Sequence, residues 1–164
     1  MRKVIGIAIL SLALGGCAGL MREQPAIGDP LDTVRAKFGT PTAVYPAPEG
    51  QKLEYATGPM GQYTWMATIG KDGRLAAFEQ VLTHEVYGRL KTGKSTKADV
   101  LHTLGRPAET SFLSLPQLEV WSYRYKESGV WNSMMHMHFD RGGVLTMMQS
   151  GPDPMYEEKR FMRD

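Results

Sequence analysis

The sequence predicts an α+β fold of two tandem units, each a helical segment followed by a three-stranded antiparallel meander, with the first unit lacking a leading helix. Three observations predict it. A helix-and-stop pattern occurs twice: GDPLDTVRAKFGTPT from Gly28 and GKSTKADVLHTLGRPAET from Gly93 place Val34, Gly39 and Pro41 over Val100, Gly105 and Pro107, so Val-x4-Gly-x-Pro recurs at one constant offset. Each copy is followed by apolar residues alternating with period two, the mark of half-buried strands. Each alternating stretch then meets a hairpin signal, Asp72-Gly73 or Gly142-Gly143.

The elements follow in chain order. Arg2 and Lys3 precede an apolar run from Val4 to Leu14, and Gly15-Gly16 precede Cys17, so residues 1–16 are expected to be an export signal cleaved between Gly16 and Cys17. The apolar run is shorter than the roughly 20 residues a bilayer span needs. Residues 17–27 are expected to form a tether. In the first unit, residues 28–82, Pro30 suits the first helical position, Leu31, Val34 and Phe38 form an apolar stripe, and Gly39 with Pro41 stops the helix. The stretch Tyr45-Pro46-Ala47-Pro48 reads as an extended connector. Leu53 and Tyr55 mark a strand ended by Gly58-Pro59, the run Tyr63, Trp65, Ala67, Ile69 a second, and Arg74 to Leu82 a third.

The second unit, residues 83–154, opens on a short helix capped by Thr83 and carrying Val86 and Leu90. A second helix follows, capped by Ser95 or Thr96, with Asp99 in its first turn and Val100, Leu101 and Leu104 as its stripe. Strands are expected at Trp121, Tyr123 and Tyr125, at 133–139, and at 144–150. Residues 155–164 form a tail in which Met155 to Arg163 can make a short helix.

Composition narrows the function. A chain of 164 residues with 42% hydrophobic and 22% charged content is globular. Loss of residues 1–16 removes Arg2 and Lys3 and no acid, leaving 17 basic against 17 acidic residues, and no basic stripe is present, which argues against nucleic-acid binding. Cys17 is the single cysteine, so the chain has no internal disulfide and no second thiol.

The run Leu14-Gly15-Gly16-Cys17 resembles the lipobox of bacterial lipoproteins. That resemblance implies a covalent diacylglycerol and acyl chain on Cys17 and no other cofactor; Ala18 after the cysteine then implies anchoring at the periplasmic face of the outer membrane. The segment from Val81 to Pro154 resembles the BamE (SmpA/OmlA) family of outer-membrane lipoproteins, through Gly93, the Val100, Gly105 and Pro107 pattern, Trp121 with Tyr123, and Phe139, Asp140, Gly143 and Val144. Residues 28–82 carry Leu53 and Tyr55 in place of the Trp-x-Tyr pair. The family implies an α-α-β-β-β unit and a role in β-barrel protein assembly, and a tandem pair of such units resembles the β-lactamase inhibitor protein architecture.

A non-catalytic envelope protein that binds protein, in barrel assembly or envelope integrity, is therefore the expected function. Trp131, Tyr45 and Tyr156 are the candidate partner contacts, because exposed aromatic side chains anchor interfaces. Trp65, Trp121 and Tyr123 are expected to pack. An inhibitor-like or Cu(I)-binding lipoprotein is the alternative: His136 and His138 share one face of a strand amid methionines, and imidazole and thioether suit Cu(I). Methionine also fills small cores, and on an alternating strand Met135, Met137 and Phe139 point inward while the two histidines point outward. No G-x-S-x-G, H-E-x-x-H or phosphate-cradling loop is present. His84 beside Glu85 and His102 near Asp99 are the histidines closest to an acid-base pair, and no catalytic residue is assigned.

Overall fold

The computed structural model describes residues 24–157, so the signal sequence, Gly16, Cys17 and the end of the tail lie outside the described residues. The fold is α+β, with two four-stranded antiparallel sheets of strand order β1-β2-β3-β4 and β5-β6-β7-β8. The strands are β1 (Ala43–Ala47), β2 (Gly50–Ala56), β3 (Thr64–Gly70), β4 (Leu75–Gln80), β5 (Glu109–Leu113), β6 (Leu118–Glu127), β7 (Trp131–Phe139) and β8 (Leu145–Pro152). Among the described residues four helices accompany them: α1 (Leu31–Phe38), α2 (His84–Tyr87), α3 (Lys97–Leu104) and α4 (Pro154–Glu157). None of the described helices is long and apolar enough to cross a membrane.

Each sheet thus has one strand more than the three expected. The extra strand is the edge strand in both cases, for opposite reasons. In β1 Pro46 masks the strand, yet proline is tolerated where the missing N–H would face outward from a sheet edge; Tyr45 pairs with Lys52 and Val44 with Leu53. In β5 every residue is exposed, so no alternation of apolar and polar residues announces it.

The repeat persists in the backbone hydrogen bonds. Leu31 N–H donates to the Gly73 carbonyl and Leu75 N–H to the Asp29 carbonyl; Lys97 and Leu145 N–H make the same bonds to Gly143 and Ser95. Both third strands carry a register shift in the same place, between Thr68 and Ile69 and between His138 and Phe139. Both longer helices end on a glycine in the left-handed region, Gly39 at φ 88° and Gly105 at φ 81°, where a side chain would be strained. Their starts differ. Thr96 accepts the Asp99 N–H while the Asp99 carboxylate accepts the Thr96 N–H, a capping box, whereas Pro30 provides no side-chain cap.

Packing joins the units into one body. Under α1, Val34, Leu53, Ala67, Ile69 and Leu75 are buried, with Phe38 edge-on to Tyr55 and Phe78, and Trp65 stacked on Phe78 at 5.1 Å. On the opposite face of the first sheet, Tyr45 and Met66 join the larger core formed by α2, α3 and the second sheet. α3 lies between the sheets: Lys52 donates to the His102 carbonyl on one side, and Val100 and Leu104 pack with Tyr123, Met135 and Met137 on the other. The chain is therefore layered as α1, first sheet, α2 with α3, second sheet. Both faces of β3 are buried because a layer covers each.

Candidate functional site

Sheet geometry fixes where the exposed aromatic residues fall. Trp131 is the first residue of β7, opposite Glu127 across the turn at Ser128-Gly129, and is 68% exposed. Tyr156 lies on α4 and is 42% exposed. β8 runs back to the same end of the sheet, where Asp153 N–H donates to the Asn132 carbonyl and the Asp153 carboxylate caps Met155 N–H. Trp131 and Tyr156 consequently line one open cleft of about 370 Å³ together with Asn132, Ser133, Ser150 and Glu157. The neighbouring Val130 is also exposed. A large rigid aromatic face at the tip of a paired strand is what an interface anchor requires.

The polar floor of this cleft continues into Glu127. Its carboxylate accepts Ser133 Oγ–H at 2.7 Å and lies 3.0 Å from His84 Nε2, which is also 3.3 Å from the Tyr125 hydroxyl. The Ser133 bond first, then the His84 bond, hold the Glu127 carboxyl below its usual range. The residue types match a hydrolase set, but the order does not. A nucleophilic serine needs the imidazole between itself and the acid; here the acid stands between serine and imidazole, so His84 has no path to the Ser133 proton. His102 is placed by its ring contact with Tyr45 at 5.4 Å, within the layer between the sheets.

Tyr45 is not at the surface. It is 7% exposed, on the inner face of β1, and its hydroxyl donates to Glu54, a carboxylate only 1% exposed. Thr42 Oγ1–H and Arg106 N–H complete the donors to Glu54, and burial, followed by the Glu54 bond, raises the Tyr45 hydroxyl above its usual range. Expecting Tyr45 as a partner contact is corrected by this burial: read as a connector, the segment gave no inward face, and once paired as a strand it has one. Glu54 sits beside a cleft of about 240 Å³ between the units, lined also by Pro59, Arg106, Tyr123 and Arg124. Arg124 donates to the Pro59 carbonyl, pairs with Glu109, and lies 3.1 Å from the fully buried Asp153 carboxylate, off the axis of a hydrogen bond, so that pair is coulombic. Sequence reasoning missed Glu54 and Asp153: with Leu53 and Tyr55 turned to the core under α1, alternation puts Glu54 on the other face, which reads as solvent-facing in the sequence of the first unit alone.

Trp65 and Trp121 are half-buried and pack on Phe78 and Phe139, and Tyr123 is buried with its hydroxyl donating to the Gly105 carbonyl. Met135, Met137 and Phe139 face the core. His136 and His138 lie on the other face: His136 Nδ1 is 2.8 Å from Ser122 Oγ, and His138 is 8% exposed with its Nδ1 facing no hydrogen-bond partner. Burial first, then His136, hold the His138 imidazole below its ordinary value. Among the described residues no three of the His, Asp and Glu side chains gather as metal ligands.

No family model matches the sequence, and no curated protein matches it. Among solved structures the chain is similar to a DUF4309 family protein (YjgB) from Bacillus subtilis, at 16% sequence identity and a TM-score of 0.33, over 74% of this chain and 77% of that one. A superposition that loose fixes neither a shared topology nor a shared chemistry.

Proposed function

We propose that this chain is a lipid-anchored protein of the bacterial cell envelope that binds another protein through the cleft containing Trp131 and Tyr156, without catalysing a reaction. The observation that carries the reading is the convergence of these two exposed aromatic side chains, far apart in sequence, on one cleft whose backbone is held by strand pairing. Anchors on a rigid element lose little conformational freedom on binding, which favours affinity. The acid-centred arrangement of Ser133, Glu127 and His84 supports the non-catalytic part of the reading.

The lipobox-like run ending at Cys17 supports attachment to the outer membrane by a diacylglycerol and an acyl chain. Within the second unit, two helices ahead of β6, β7 and β8 keep the order of a BamE-like unit, with β5 added at the edge; outer-membrane β-barrel assembly is accordingly the pathway proposed. The test is photocrosslinking in cells from positions 131 and 156, with exposed Lys71 on the other unit as the control position. Enrichment of one envelope protein at 131 and 156 over 71, lost on Trp131→Ala, is expected, and labelled palmitate should enter the chain and vanish in Cys17→Ser. Equal capture at all three positions would overturn the interface, and soluble, unlabelled wild-type chain would overturn the anchor.

A further inference from the structure

The outer face of the second sheet holds two histidines and a methionine that belong neither to the hydrophobic cores nor to the aromatic cleft. In register across the three strands, Val120, His138 and Met147 form one row and Ser122, His136 and Gln149 the next. Met148 packs toward the core, so Met147, on the opposite face, is the exposed one.

The duplication says what these positions need for folding. In the first sheet the residues equivalent to His136 and His138, by the shared register shift, are Met66 and Thr68. The same strand therefore forms without imidazoles. In the first unit this face is covered by the layer of α2 and α3, with Met66 in that core, whereas His136, His138 and Met147 of the second unit stand outside both hydrophobic cores.

We propose that His136, His138 and Met147 form a binding site for a soft monovalent cation, Cu(I). Histidines two apart on a strand stand about 6.6 Å apart along it, on one face, a span that two imidazole arms close around one ion. Met147, directly opposite His138, brings a thioether within about 5 Å at Cβ. Imidazole and thioether are donors that select Cu(I) over hard cations. The Ser122 hydroxyl at His136 Nδ1 fixes that ring and leaves Nε2 for the metal, the orienting contact that ligating histidines characteristically have. His138 is nine-tenths buried with an Nδ1 that no protein group satisfies, so its ring is not committed to a structural hydrogen bond.

The experiment uses the full chain in detergent with Cys17→Ser throughout, because the thiolate is itself a soft ligand. Cu(I) is titrated against a colorimetric chelator. One equivalent is expected to bind, with the affinity weakened at least about tenfold by His136→Ala or His138→Ala and lowered by Met147→Leu. NMR of the unsubstituted histidines gives a readout independent of variant folding: Cu(I), being diamagnetic, should shift the His136 and His138 ring protons and the Met147 methyl together, saturating at one equivalent. Failure to compete with the chelator, affinity unchanged in all three variants, or shifts at His84 and His102 instead would each overturn the site.

Discussion

Glu54 and His138 are both buried and ionisable, and their surroundings give them opposite consequences. The Glu54 carboxylate has three donors, and one of them, Tyr45, comes from the edge strand β1. Tyr45→Phe removes the hydroxyl and leaves Glu54 Oε2 with the Arg106 N–H alone. The expected loss is about 0.5–1.5 kcal/mol, the usual net contribution of one hydrogen bond where the acceptor keeps another donor, read as a fall in the urea midpoint at constant slope; an unchanged midpoint would mean that the bond contributes nothing net. His138 works through protons. Its folded-state value lies below the ordinary 6.5, so below that pH the unfolded chain takes up a proton that the folded chain resists, and stability falls with acid. In metal-free buffer, replacing it with glutamine should flatten stability against pH just below 6.5 while leaving the steeper loss at lower pH, where depressed carboxyls such as Glu119 and Asp99 are protonated. Depressed acids stabilise above their unfolded values and cease to do so as the pH falls through their folded ones.

The two long helices show at element scale how one pattern is held by different chemistry. Thr96→Ala deletes the acceptor for the Asp99 N–H and should cost about 1 kcal/mol, seen as a lower thermal midpoint, whereas Pro30→Ala should cost less because Pro30 offers its helix no side-chain acceptor. An equal loss in the two variants would show that the Thr96 cap is solvated away. Helices α1, α2 and α3 were legible because their stripes, caps and stopping glycines are local, and β2, β3, β6 and β7 because alternation marks a face turned to a core. The edge strands were illegible for a physical reason. An edge strand needs only one partner, so it tolerates Pro46 in β1 and a fully exposed side-chain set in β5, and neither leaves a periodic trace. The same limit decided the contact residues: Trp131 and Tyr156 sit where turn and tail residues are expected to sit, while Tyr45 was misplaced with its strand.

At the scale of the molecule, duplication need not mean independence. The core beneath α1 is small, and the other face of the first sheet is completed by the second unit: Tyr45 and Met66 pack into its core, Lys52 caps His102, and Glu54 takes the Arg106 N–H. Cut after Leu82, the first unit would expose those side chains and strand a buried carboxylate, and a piece of that length has little core to offset its chain entropy. The expectation is that residues 24–82 alone give no cooperative thermal transition by circular dichroism. Residues 83–157 keep most of the larger core and should retain strand content, with a lower midpoint and a broadened near-ultraviolet signal from Tyr87, Tyr123 and Tyr125. Mixing the two pieces should restore a single transition, since the layers between the sheets carry no covalent requirement beyond the link at 82–83. A sharp transition in the isolated 24–82 piece would instead mean that each unit is a domain in its own right, and the Glu54 contacts would then be a hinge between two bodies rather than part of one core.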